Sequence, residues 1–144
     1  MKIMFVDVGN TCRSIMAEAL FNHIFDGNIE VFSSGTMAQN GDPPSENSIK
    51  VCNDYGIDIP KHKAIYFKDS DIEEMDLVLT FEWFHKKEIL TYYPNLEVYT
   101  IKEYIGEYPL DIDDPYCGDY NIYEACFCEI YRTLKKVKLI HFMK

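Results

Sequence analysis

Residues Val6-Asp7-Val8-Gly9-Asn10-Thr11-Cys12-Arg13-Ser14 decide how this chain folds, because they lie between a segment of strand type and a segment of helix type. Before them, Lys2-Ile3-Met4-Phe5-Val6 is a short apolar run; after them, Ile15-Met16-Ala17-Glu18-Ala19-Leu20-Phe21 carries apolar residues at helical spacing. At such a junction Gly9 is expected to admit backbone angles that other residues resist. Successive backbone N–H groups from Val8 to Ser14 then converge on one point, and the helix that follows adds its positive end. The stretch therefore predicts an anion nest. Arg13 brings a planar fork of donors matched to phosphate oxygens, Ser14 is expected to cap the helix and offer a hydroxyl, and Asn10 to brace the loop through its amide.

Downstream, strand-like and helix-like segments alternate. The first helix is expected to run to about Asp26, followed by a strand at Ile29-Glu30-Val31-Phe32-Ser33-Ser34. A loop through Gly41-Asp42-Pro43-Pro44 leads to a helix ending near Tyr55, and Ile65-Tyr66 reads as a short extended piece. Met75-Asp76-Leu77-Val78-Leu79-Thr80 reads as a buried strand, Phe81 to Tyr92 as a helix, Leu96-Glu97-Val98-Tyr99-Thr100 as a strand, and Tyr120 to Lys138 as the last helix. This order predicts an α/β fold: one domain over residues 1–144, with a four-stranded parallel twisted sheet covered by helices on both faces. The phosphate-binding loop sits after the first strand.

Composition narrows the partners. A chain of 144 residues with 47% hydrophobic residues buries one substantial core and falls short of two ordinary domains. Fourteen basic against 24 acidic residues, net −10, argue against nucleic acid and anionic membranes. Five cysteines, Cys12, Cys52, Cys117, Cys126 and Cys128, form an odd set without a metal-ligand spacing, which reads as reduced thiols in a cytoplasm. Asp7 interrupts the only apolar run near the start, so neither a signal peptide nor a spanning segment is expected. A monomer is the simplest expectation.

Asp7 precedes Arg13 by six positions, the spacing that separates nucleophile and arginine in cysteine-dependent phosphatases. The stretch resembles the loop of the low-molecular-weight protein tyrosine phosphatases, V-C-x-G-N-x-C-R-S, and Met16-Ala17-Glu18 fits the same pattern. About a hundred residues on, Asp114-Pro115-Tyr116 resembles the Asp-Pro-aromatic motif that carries the family's general acid. Gly9 to Ser14 with Met16-Ala17-Glu18 looks most like the bacterial protein arginine phosphatases within that family. The sequence departs from the pattern twice: Asp7 stands at the nucleophile position, and Ile15 where a proline commonly preorganises the first helical turn.

The resemblance implies a protein phosphatase that needs no metal or cofactor, acts on phosphorylated proteins and releases inorganic phosphate. A loop thiolate, its pKa lowered by amides and helix end, forms a phosphoenzyme that water hydrolyses. Asp114 protonates the leaving group and then activates water; Asp111 and Asp113 are alternatives that the residues alone leave open. Tyr116 and Tyr120 are expected to wall the entrance against the substrate side chain, or simply to pack. His62 is expected to support the loop by hydrogen bonding. Cys12 matches the family's second loop cysteine, which traps an oxidised nucleophile as a disulfide, a bond that Asp7 precludes. Thr11 points toward phosphoarginine, since phosphotyrosine members usually carry a larger aliphatic residue there.

Asp7 admits three readings: a thiolate removed, a carboxylate nucleophile, or a plug. Carboxylate nucleophiles usually work beside a metal ion that offsets charge, and the loop has no cluster of metal ligands. The favoured reading is the plug, in which Asp7 accepts hydrogen bonds meant for phosphate, its pKa falls, and the copy is inactivated. A cysteine codon becomes an aspartate codon only through more than one base change, which favours deliberate replacement or long divergence. Two function classes follow: a phosphatase disabled at one residue, or a natural pseudophosphatase that binds a partner protein. A nucleotide-binding domain is weaker, because the glycine patterns of such loops are absent.

Overall fold

Successive residues of the first strand face opposite ways, and this alternation divides the core. In a computed structural model that describes residues 1–25, 29–59 and 61–138, strand β1 spans Lys2–Asp7. Ile3 and Phe5 pack on one face with Met16, Leu20 and Phe21 of α1 (Arg13–Ile24) and with Phe127, Ile130 and Leu134 of α5 (Tyr120–Val137). Met4 and Val6 pack on the other, with Phe67, Ile72, Val78 and Ile89. A strand buried on both sides needs apolar residues at every position, which is why Lys2–Val6 reads as a continuous run rather than an alternating one.

The remaining elements are β2 (Glu30–Gly35), α2 (Glu46–Asp54), β3 (Leu77–Thr80), α3 (Trp83–Tyr92), β4 (Val98–Thr100) and α4 (Ile101–Ile105). The four strands are parallel in the order β2-β1-β3-β4. The chain thus forms one α/β domain with helices on both faces of a four-stranded parallel sheet, as the alternation predicts. Strand order reverses beside β1, so the loop after β1 opens at the switch point where such sheets bind ligands.

Several boundaries differ from the sequence reading. The expected end of the first helix at Asp26 lies outside the described residues, and β3 and β4 start two residues later than their apolar runs suggest. Helix α4 and two 3-10 turns, Phe67–Asp69 and Ile72–Glu74, were not expected. Helix α4 is only five residues long, too short for apolar periodicity to register. Its signal was a capping box: Thr100 Oγ1 accepts from the Glu103 N–H at 2.9 Å while Glu103 Oε1 accepts from the Thr100 N–H at 3.2 Å.

At the end of β2, Gly35 lets the phosphate-loop backbone come close. A Cβ there would meet the Val8 carbonyl oxygen at 2.4 Å and the Asn10 nitrogen at 3.0 Å, so no other residue fits without moving the loop. Among the described residues, no helix is long and apolar enough to cross a membrane.

Candidate active site

Strand β1 ends at Asp7, which is 2% exposed. Its Oδ1 accepts the Asn10 backbone N–H at 2.7 Å and its Oδ2 accepts the Ser14 backbone N–H at 3.0 Å. Burial raises the Asp7 pKa above its ordinary value of 3.8, against the opposing pull of Ser14, Arg13 and Asn10. This corrects the expectation that the loop amides lower it: removal from water outweighs the donors. The nest is also only partly filled. The N–H groups of Gly9, Thr11, Cys12 and Arg13 make no hydrogen bond among the described residues.

Asn10, rather than Gly9, makes the tight turn of the loop. Its φ is 58°, the left-handed region that Asn tolerates better than most residues, whereas Gly9 does not have a positive φ and a Cβ there would meet only Thr11 Oγ1 at 3.6 Å. The Asn10 amide braces both sides, donating from Nδ2 to Ser14 Oγ at 2.8 Å and accepting the Ile65 N–H on Oδ1 at 3.0 Å. His62 Nε2 donates to the Asn10 carbonyl oxygen at 3.1 Å, and burial holds the ring's pKa below 6.5. Ser14 does not cap α1. Cys12 occupies that position without a side-chain cap, and Ser14 is the second helical residue, its hydroxyl turned to Asn10.

Arg13 is 1% exposed. Its Nη1 donates to the Ile112 carbonyl at 2.6 Å and lies 3.5 Å from Glu82 Oε1, while Nη2 lies 3.6 Å from Asp114 Oδ2. The Phe81 ring centroid is 5.8 Å from the guanidinium carbon. Nε and Nη2, which form one edge of the guanidinium fork, have no hydrogen-bond partner among the described residues. Sequence reasoning missed the seat of this arginine. Glu82 pairs on its other side with His85 at 3.2 Å, and His85 is 2% exposed with its pKa held down by burial. The available signal was position, since Phe81 and Glu82 follow directly on the carboxyl end of β3.

A cavity of about 260 Å³ opens over Asp7, lined by Val8, Gly9, Thr11 and Cys12 of the loop, by Met37, Gln39 and Asp42 after β2, and by Asp114 and Tyr116. Of the three acidic candidates only Asp114 reaches it: Asp111 Oδ1 accepts the Trp83 N–H at 2.8 Å, and Asp113 offers its carbonyl to Cys126. Asp114 Oδ1 accepts the Tyr116 N–H at 3.0 Å, an Asx turn that fixes the carboxylate at the cavity mouth. Asn10, Arg13 and Ser14 lie buried beneath the loop rather than on the cavity wall. Tyr120 is placed elsewhere; its hydroxyl donates to Asp54 Oδ2 at 2.7 Å and Lys50 lies over its ring, tying α5 to α2. Cys12 is buried with Sγ 3.2 Å from the Tyr123 hydroxyl. A larger cleft of about 570 Å³ lies behind the 109–115 segment against α5 and shares Asp114, but none of the loop residues line it.

The α/β domain thus carries an N–H nest after its first strand, a buried arginine and an Asp-Pro turn, with the nest and the turn on one cavity. The chain belongs to the family of low molecular weight phosphotyrosine protein phosphatases, whose model matches residues 2–140. It is 34% identical over 143 residues to the low molecular weight protein-tyrosine-phosphatase PtpB of Staphylococcus epidermidis, covering 98% of this chain and 99% of that one. It is 32% identical over 142 residues to the protein-arginine-phosphatase of Bacillus subtilis, covering 95% and 94%. Among solved structures it matches a cysteine-to-serine mutant of the YwlE arginine phosphatase with a phosphorylated active-site serine. There the TM-score is 0.92 at 31% identity, covering 100% and 98% of the two chains.

Proposed function

We propose that this chain is a protein phosphatase of the phosphoarginine-directed kind in which Asp7 has taken the place of the attacking cysteine, leaving phosphate recognition in place and turnover impaired. The observation that carries this reading is a set of four loop N–H groups without a hydrogen bond, together with a buried Arg13 whose Nε–Nη2 edge makes no hydrogen bond and whose Nη2 lies 3.6 Å from Asp114 Oδ2. Those donors match the oxygens of a phosphoryl group. A buried carboxyl in place of a thiolate impairs turnover without dismantling that set of donors. In an Asp7→Cys variant the thiolate attacks phosphorus, Asp114 gives its proton to the departing nitrogen or oxygen, and the same carboxylate then draws a proton from the water that hydrolyses the phosphocysteine. Thr11 lies on the cavity wall, where a small polar side chain leaves room for a guanidinium group, and Tyr116 supplies an aromatic wall. No metal or cofactor enters this scheme, and we place the protein in the cytoplasm as a monomer.

The solved relative whose active-site serine is phosphorylated supports phosphoryl capture by an oxygen in a loop of this kind. The test is phosphate release by the Asp7→Cys variant from a phosphoarginine-bearing protein and from a phosphotyrosine peptide, in parallel and without added metal. Faster release from the phosphoarginine protein is expected. Preference for the phosphotyrosine peptide would move the substrate class, and release from neither would favour the pseudophosphatase reading.

A further inference from the structure

We infer that Asp7 is itself a phosphoryl acceptor: the chain as it stands takes one phosphoryl group from an N-phosphorylated guanidine onto the Asp7 carboxylate and holds it as an acyl phosphate. The inference rests on the phosphate-recognition reading above and goes beyond it by assigning a covalent modification site and a donor class.

The first support is geometric. A carboxylate has about four lone-pair sites on its two oxygens. The Asn10 and Ser14 N–H groups each take one. About two sites remain, and Asp7 lines the open cavity despite its burial. The same two contacts fix the carboxylate's orientation at the base of the nest, so attack needs little reorganisation.

The second support is charge. An ionised carboxylate carries the same single negative charge as the thiolate it replaces, so the N-terminal end of α1 and the buried Arg13 offset the incoming phosphoryl charge as they would for cysteine. The donors free to hold phosphoryl oxygens are the N–H groups of Gly9, Thr11 and Cys12, whose residues line the cavity, while buried Arg13 supplies positive charge beside Asp114. They lie apart from the donors that Asp7 already uses, so acceptor and phosphoryl group do not compete for the same hydrogen bonds.

The step balances as a simple transfer. A carboxylate oxygen of Asp7 attacks phosphorus and forms the O–P bond; the P–N bond of the donor breaks; and the departing guanidine nitrogen takes the proton of Asp114, which stands at the cavity mouth. Later attack of water on phosphorus returns phosphate and the free carboxylate. An acyl phosphate is a mixed anhydride, so a donor of comparable transfer potential is needed. A phosphoguanidine comes close to that potential, so the acyl phosphate accumulates, whereas from a tyrosine phosphate ester of lower potential it stays sparsely populated.

The experiment incubates the unmodified chain with free phosphoarginine, and separately with phosphotyrosine, and reads intact mass. Expected is a gain of one phosphoryl group per chain from phosphoarginine alone, removed by neutral hydroxylamine with a hydroxamate left on the peptide that contains Asp7. Asp7→Asn is expected to lower the label to background. No mass gain from phosphoarginine, a hydroxylamine-resistant label, or a hydroxamate on another peptide would overturn the assignment, and the peptide mapping needs no variant. Turnover by Asp7→Cys together with an unlabelled parent chain would defeat this inference while leaving the phosphatase reading intact; silence in both would defeat both.

Discussion

The Ser14 backbone N–H donates to Asp7 Oδ2 at 3.0 Å across the mouth of α1, so a helix end that would otherwise face an incoming phosphate is partly met by the protein's own carboxylate. Burial nonetheless raises the Asp7 pKa above 3.8, and this fixes a sign for stability. A carboxyl whose folded-state pKa is raised favours folding most when protonated, and that contribution is lost as pH climbs through the folded value. Measured against Asp7→Ser, which does not titrate there, the parent chain is expected to lose relative stability as pH rises above about 4. Urea melts of both proteins across that range check it; a constant or rising difference would contradict the assignment of burial as the dominant cause.

Asn10 carries the loop's geometry through two side-chain hydrogen bonds and a left-handed backbone. Asn10→Ala removes both bonds and leaves a side chain that disfavours φ near 58°, with an expected loss of about 2–4 kcal/mol. Asn10→Gly keeps the backbone freedom and should lose less, about 1–3 kcal/mol. Equal losses in urea melts would show that the backbone angle contributes nothing.

The nest itself was legible because its residues are contiguous, and so was the parallel sheet, because strands buried on both faces leave continuous apolar runs. Asp114 was legible through the Asp-Pro turn that separates it from Asp111 and Asp113. Glu82 and Ile112 escaped notice because they meet Arg13 only after β3, α3 and the 109–115 segment are brought to one end of the sheet, and His85 because it reaches Arg13 only through Glu82. The Asp7 pKa was misjudged for a related reason: the donors are visible in the local sequence, but the burial that outweighs them comes from the rest of the fold. Tyr120 was expected at the entrance from the family resemblance, yet α5 begins there and turns it toward Asp54.

Gly35 is a remote control on the loop. Gly35→Ala sets a methyl group 2.4 Å from the Val8 carbonyl oxygen, a backbone atom that cannot rotate away. A loss of about 1–3 kcal/mol is expected, accompanied by weaker phosphate inhibition when tested in the Asp7→Cys background. Unchanged inhibition would mean that the loop tolerates displacement.

Asp114→Asn in the Asp7→Cys background removes the carboxylate that we propose as proton donor at the cavity mouth. A fall in kcat of roughly 10²–10⁴-fold is expected for substrates with poor leaving groups, and a smaller fall for activated ones. An equal effect on both would move the acid to another residue.

Thr11→Ile in the same background fills part of the cavity wall next to the nest. The ratio of kcat/KM for phosphoarginine over phosphotyrosine substrates is expected to drop by about tenfold or more, the scale that a few methylene groups command in a pocket. A ratio that does not move would separate Thr11 from substrate choice.

The most direct measurement is steady-state hydrolysis of para-nitrophenyl phosphate, without added metal, by this chain and by Asp7→Cys side by side. Sustained turnover in the variant alone is the outcome that a phosphatase disabled at one residue requires. Silence in a folded Asp7→Cys variant, or equal turnover in both proteins, would contradict it.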